Sequence, residues 1–181
     1  MGRRAKTWLV RYAGRVGAEV KSELQPTVFI ALGSNLGDAR ANILTAIKRL
    51  QQFSVNPLVS SSLLQTKPVD CPPGSPMFLN AVVGLVPKRG LTPEALLTKL
   101  KSLEKEFGRH PKKVLNEPRP LDLDLIAFGN ERRATNALIL PHPRAHERRF
   151  VLQPLSEIAP DLILPDQSKT VKELLKHLPD V

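Results

Sequence analysis

Residues 117–126 read EPRPLDLDLI, and the groups there that could do chemistry are Asp122 and Asp124. Leu121, Leu123 and Leu125 alternate with them, the period-two pattern of a half-buried strand. The leucines face a core, and both carboxylates project from the other face, one pleat repeat apart. Two acids held side by side on a rigid strand repel each other unless a cation stands between them. Oxygen donors of this kind suit Mg²⁺, which takes one or two carboxylates and fills its other positions with water and phosphate. Arg119, just upstream, could hold a phosphate through a bidentate fork. The segment reads as a metal–phosphate site. A surface strand with two solvated acids gives the same pattern, and a D-x-D motif alone does not decide between them.

Other groupings add to this one. Phe78 and Asn80 share parity, so both point to one face of a strand. A ring beside a carboxamide can stack a flat heterocycle and read its edge; a core phenylalanine beside an edge amide is the plainer reading. Arg109, Lys112, Lys113 and Arg119 surround a loop just before the acid pair. Basic groups in such a loop, next to a metal, are what triphosphate handling requires; general surface basicity is the alternative. Pro141 and Pro143 lock His142 between them. The run of Arg144, His146, Arg148 and Arg149 that follows also describes a solvated face. Residues 33–37 (GSNLG) lack the Lys-Ser/Thr ending of a phosphate-binding P-loop, so they are read as a turn.

The elements that must position these groups follow from periodicity. Residues 27–32 (TVFIAL) form a buried strand that ends at Gly33. Asp38 caps a helix whose apolar positions are Ile43, Leu44, Ile47 and Leu50. Residues 55–66 form a second strand, disturbed at Pro57. Residues 67–76, with four prolines and one glycine, form a loop. Residues 78–86 (FLNAVVGLV) form a third strand. Thr92, Pro93 and Glu94 start a second helix, with Leu96, Leu100, Leu103 and Phe107 on its buried face and Gly108 as its stop. A second loop, 109–120, precedes the acid-bearing strand, which runs to Phe128. Residues 150–155 are apolar, and Thr170 with Glu173 makes a capping box for a short last helix. The order strand–helix–strand–strand–helix–strand is that of a ferredoxin-like α+β sandwich. A mainly antiparallel sheet, helices on one face and mobile site loops are the expectation.

The chain has 181 residues, 41% apolar and 24% charged, with net charge +10. That is a globular composition and not a disordered one. The first 26 residues carry six Lys/Arg and two Asp/Glu, a share of +4, and are set apart as a disordered extension; residues 27–181 are read as one domain. Basic balance implies an anionic partner such as nucleic acid, a membrane surface or a nucleotide. Cys71 is the one cysteine, which rules out an intrachain disulfide and a thiolate zinc cluster and fits a reducing compartment. No apolar run reaches the length of a membrane span.

Taken together the segments resemble the 6-hydroxymethyl-7,8-dihydropterin pyrophosphokinase family. The matching stretches are FIALGSNLGD (29–38), FLNAVV (78–83), LEKEFGR (103–109), PRPLDLDLIAFGN (118–130), LPHPRAHERRFVLQPL (140–155) and EIAPDLILPD (157–166). They stand in the family's order and spacing. The resemblance implies transfer of a diphosphate from ATP to the pterin's hydroxymethyl group, with release of AMP, in tetrahydrofolate biosynthesis. By the same token, Asp122 and Asp124 match the acids that bind two Mg²⁺. Phe78 and Phe150 match the pair that sandwiches the pterin. Asn80 matches the amide that reads its edge, and Thr66 lies where loop contacts reach the ring. Arg109 and Arg119 match arginines on the phosphates, and Glu104, His142 and Arg148 match ATP-site positions. The resemblance further implies a cytoplasmic monomer acting on small molecules, with no nucleic-acid or membrane partner.

The chain departs from the family pattern in one loop. The family commonly reads G-R-x-R and then R-W-G-P-R. Here His110 and Pro111 follow Arg109, and Leu115, Asn116 and Glu117 precede Pro118. Lys112 and Lys113 could supply charge there, as point charges without a fork. Lys101 stands where a glutamine is common. An RNA-binding domain shares the element order, but it needs exposed sheet aromatics in RNP motifs, and aromatics are 4% here with no such motif. A binding protein that has lost catalysis is the other rival, and AMP release separates it from an enzyme.

Overall fold

The computed structural model describes residues 27–68, 71–110 and 117–179. Its elements are β1 (Val28–Ser34), α1 (Ala39–Leu50), β2 (Val59–Ser60), β3 (Leu64–Thr66), β4 (Phe78–Leu85), α2 (Pro93–Glu106), β5 (Asp122–Phe128), β6 (Arg133–Ala134), β7 (Ile139–Leu140), α3 (Arg149–Ile158) and α4 (Val171–Lys176). The main sheet is antiparallel. β1 lies between β4 and β5, while β2 and β3 both pair with the outer edge of β4. β6 and β7 form a separate hairpin.

The helices start where side chains satisfy their first amides. Asp38 accepts from the Ala41 N–H at 2.9 Å, Thr92 from Ala95, and Thr170 and Glu173 close a capping box. Leu96, Leu100 and Leu103 of α2 and Ile43 and Leu50 of α1 are buried against Val28, Ile30, Leu32, Leu121, Leu123 and Leu125. Each such side chain stabilises the fold by about 1.5–3 kcal/mol.

Two features differ from the sequence expectation. Helices cover both faces of the sheet. α1 and α2 lie on one side, and α3 and α4 pack against Phe29, Val82, Ile126 and Ala127 on the other. α3 carries no capping side chain and contains Pro154, so the sequence gives no start signal for it. The predicted second strand is also broken. Between β2 and β3, the Ser61 hydroxyl accepts from the Val82 N–H at 2.9 Å, and Ser62 turns outward to Glu157 of α3. The 1–26 extension and the loop carrying Lys112 and Lys113 lie outside the described residues. No helix among the described residues is long and apolar enough to cross a membrane.

Candidate active site

Register places the site. In antiparallel pairing, residues directly opposite share a face. Gly33 of β1 pairs with Asn80 of β4 on one side and with Asp122 of β5 on the other. Ala31 likewise stands between Val82 and Asp124. Leu123 and Leu125 point into the core beneath α1 and α2, so both carboxylates emerge on the α3 side, as the alternation predicts. A cavity of about 400 Å³ opens there. Thr66, Phe78 and Asn80 line it from β3 and β4, Arg119, Asp122 and Asp124 from the β5 side, and Arg148 and Phe150 from the start of α3. The Asn80 amide donates to the Thr66 hydroxyl at 2.8 Å, which fixes its orientation.

Glu104, Arg109 and His142 stand outside that lining but within reach of the residues that carry the acids. Arg109 donates to Asp122 Oδ1 at 2.5 Å and also pairs with Glu104. Arg119 reaches Asp122 Oδ2 at 2.7 Å. Glu104 accepts the Leu123 N–H at 2.7 Å, so one buried carboxylate ties α2 to β5 between the two acids. Asp124 lies 3.9 Å from His142 Nε2 and 3.7 Å from Arg148 Nη1. The repulsion between the acids is thus offset by two cationic flanks. The Arg119 guanidinium lies 5.4 Å from the Phe78 ring centroid and that of Arg148 lies 5.6 Å from Phe150, so each aromatic wall carries a cation.

Burial pushes the Glu104 carboxyl up to about 7. The enclosing walls, and then the Asp122 charge, also raise Asp124, although 38% of its side chain stays open to the cavity. Burial lowers His142, against the pull of Asp124. A divalent cation would reverse the pressure on Asp124.

The turn after β1 also holds the site. Asn35 accepts the Arg119 N–H at 2.8 Å and donates its own N–H to the Arg119 carbonyl at 3.1 Å. Ser34 and Asn42 both donate to the Pro120 carbonyl. The expected turn at residues 33–37 begins later, because Gly33 and Ser34 belong to β1, and the turn from Asn35 onward clamps the backbone carrying Arg119. Ser34 and Asn35, adjacent polar residues where the apolar run of β1 ends, are the sequence signal for it, and Asn42 joins them from α1.

The described residues contain no cluster of three or more His, Cys, Asp or Glu arranged around a metal position. The acid pair offers two carboxylates, a donor set that fits Mg²⁺ completed by water and phosphate.

A model of the family described as 7,8-dihydro-6-hydroxymethylpterin-pyrophosphokinase (HPPK) matches residues 29–160. The 2-amino-4-hydroxy-6-hydroxymethyldihydropteridine pyrophosphokinase of Haemophilus influenzae is 40% identical over 155 residues, covering 85% of this chain and 94% of that protein. Its counterpart in Pseudomonas aeruginosa is 38% identical over 152 residues, covering 84% and 91%. A folate synthesis bifunctional protein of Arabidopsis thaliana is 40% identical over 131 residues, 72% of this chain but 26% of that one. The wild-type HPPK-DHPS of Plasmodium falciparum shares the fold, with a TM-score of 0.60 at 13% identity over 82% of this chain and 44% of that structure. The chain therefore spans about a quarter of the first plant relative and under half of the bifunctional structure. The chain belongs to the 7,8-dihydro-6-hydroxymethylpterin-pyrophosphokinase family, the pyrophosphokinases of folate biosynthesis.

Proposed function

We propose that residues 27–181 act as one domain that transfers the diphosphate of ATP to 6-hydroxymethyl-7,8-dihydropterin. The hydroxymethyl oxygen attacks the β-phosphorus, the bond from that phosphorus to the α–β bridging oxygen breaks, AMP leaves, and the hydroxyl proton passes to solvent. The observation that carries this reading is one cavity holding both halves of the chemistry. Phe78, Asn80, Thr66 and Phe150 suit a flat heterocycle, and Asp122, Asp124 and Arg119 suit phosphates and metal.

Asp122 and Asp124 would hold two Mg²⁺, which when bound neutralise phosphate charge. Phe78 and Phe150 stack the ring, and Asn80 with Thr66 reads its edge. Arg119 brings its guanidinium, paired through Nη2 with Asp122, to the phosphate side of the cavity. Arg109 holds Asp122 in place, and Glu104 holds Arg109. Arg148 brings positive charge to the Asp124 end, where the nucleotide lies, and His142 a neutral ring nitrogen. Lys112 and Lys113, which follow Arg109 in the sequence, add positive charge to that part of the chain. No residue needs to act as a general base, because positioning and electrostatics supply most of the rate. The protein works on small molecules as a cytoplasmic monomer.

The test is a nucleotide product assay with ATP, Mg²⁺ and the pterin, with controls omitting pterin or metal. The expected result is AMP that depends on both, without ADP. Pterin binding without AMP would overturn the catalytic reading in favour of a binding protein.

A further inference from the structure

β1 is the central strand of the site, and its cavity-side residues shrink toward the open end, from Phe29 through Ala31 to Gly33. Gly33 sits in a continuous row, Asn80–Gly33–Asp122. With strands about 4.8 Å apart, that row spans roughly 10 Å from the carboxamide to the acid. A Cβ at Gly33 would lie 3.3 Å from Asn80 Oδ1 and 3.9 Å from both the Asp122 Cβ and the Phe78 ring. Asn80 cannot swing aside freely, since its amide already donates to Thr66 at 2.8 Å.

Nothing in the backbone demands glycine here. Gly37, Gly74, Gly90, Gly108 and Gly129 have positive φ, and Gly33 does not. It lies in regular antiparallel pairing on both sides, where glycine weakens a strand relative to alanine. A glycine kept inside a strand often marks a close approach by a ligand. Here the missing side chain leaves a trough between the ridge of Phe78 and Asn80 and the ridge of Asp122 and Asp124.

We propose that Gly33 is the specificity-determining floor of this cavity. Its bare backbone lets a flat bicyclic heterocycle lie deep enough for its edge to meet Asn80 while its substituent reaches the Asp122 side. Any side chain at this position lifts the ring and displaces the Asn80 amide. The inference rests on the pterin reading above and adds a positioning role for the backbone of β1.

The test compares wild type, Gly33→Ala and Gly33→Val by calorimetric binding of 6-hydroxymethyl-7,8-dihydropterin and, separately, of a non-hydrolysable ATP analogue with Mg²⁺. Thermal melts run alongside. Gly33→Ala should weaken pterin binding about ten-fold and Gly33→Val further, as expected for overpacking. ATP-analogue affinity should change less than about two-fold, and the alanine variant's melting midpoint should move by less than about 4 °C. Pterin binding undiminished in the alanine variant, or equal losses for both ligands, would overturn the role of Gly33 alone. So would a larger drop in the alanine variant's midpoint, which would make the glycine a packing requirement. Wild-type protein that binds no pterin would overturn the functional reading, and this inference with it. If the valine variant does not fold, the alanine variant alone decides.

Discussion

Asp122→Asn isolates charge from shape. The carboxylate sits between two guanidiniums, at 2.5 Å from Arg109 and 2.7 Å from Arg119. The amide keeps one oxygen, which can still accept from one arginine through a hydrogen bond charged on the donor side alone, a loss of about 1 kcal/mol. Its NH₂ must face the other guanidinium, donor against donor, and that bond is lost outright, about 1.5–3 kcal/mol. All three side chains retain between 17% and 19% exposure, so water recovers part of this. The net cost is about 2–3 kcal/mol, which lowers the melting midpoint by roughly 4–12 °C for a chain of this size. Transfer should fall far more, about a thousandfold in kcat/KM, the scale of losing one preorganised electrostatic group at a phosphoryl centre. Differential scanning fluorimetry without metal reads the first effect, and AMP release across an Mg²⁺ titration reads the second. A midpoint within 1–2 °C of wild type would refute the arginine clamp, and wild-type AMP release at low Mg²⁺ would refute the metal role.

Three further outcomes follow from other parts of the molecule. Phe78→Ala should weaken pterin binding by about ten-fold while leaving ATP-analogue affinity nearly unchanged, and equal losses in calorimetry would count against stacking. Leu152→Ala, at a side chain fully buried under the second helix layer, should cost about 2–5 kcal/mol in urea unfolding; a loss under 1 kcal/mol would show that α3 packs loosely. Glu104 has its folded carboxyl raised from 4.5 to about 7, so its contribution to stability is fully present below pH 4.5 and is lost as pH rises to about 7. Glu104→Gln should therefore flatten stability against pH across that window by up to about 3 kcal/mol, and parallel profiles for the two proteins would sink the assignment.

Most of the site was legible because strands report their faces by parity. The alternation of Leu121, Leu123 and Leu125 with the two acids gave the correct face for each, and the shared parity of Phe78 and Asn80 did the same for β4. Caps at Asp38, Thr92 and Thr170 marked helix starts because each side-chain oxygen serves a local amide. What sequence could not show is made by contacts distant along the chain. Glu104 meets Leu123 across 19 residues, and Asn35 meets Arg119 across 84. No periodicity encodes either contact. α3 escaped for a different reason: Arg149, Gln153, Ser156 and Glu157 do form a polar stripe at helical spacing, but the helix is short, uncapped and carries an internal proline, so it has no start signal. The covering of the second sheet face went unseen with it.

The outer strand of the sheet has a consequence for how the protein meets other chains. β2 offers two residues and β3 three, separated by a stretch where Ser61 and Ser62 redirect the backbone to Val82 and to Glu157. An intruding chain would find no long ladder of free amides and carbonyls to copy, despite the exposed Val55 and Val59 alongside. The break guards against intermolecular templating at the rim next to the cavity. Straightening residues 61–63 into one continuous strand would trade that protection for a sticky edge.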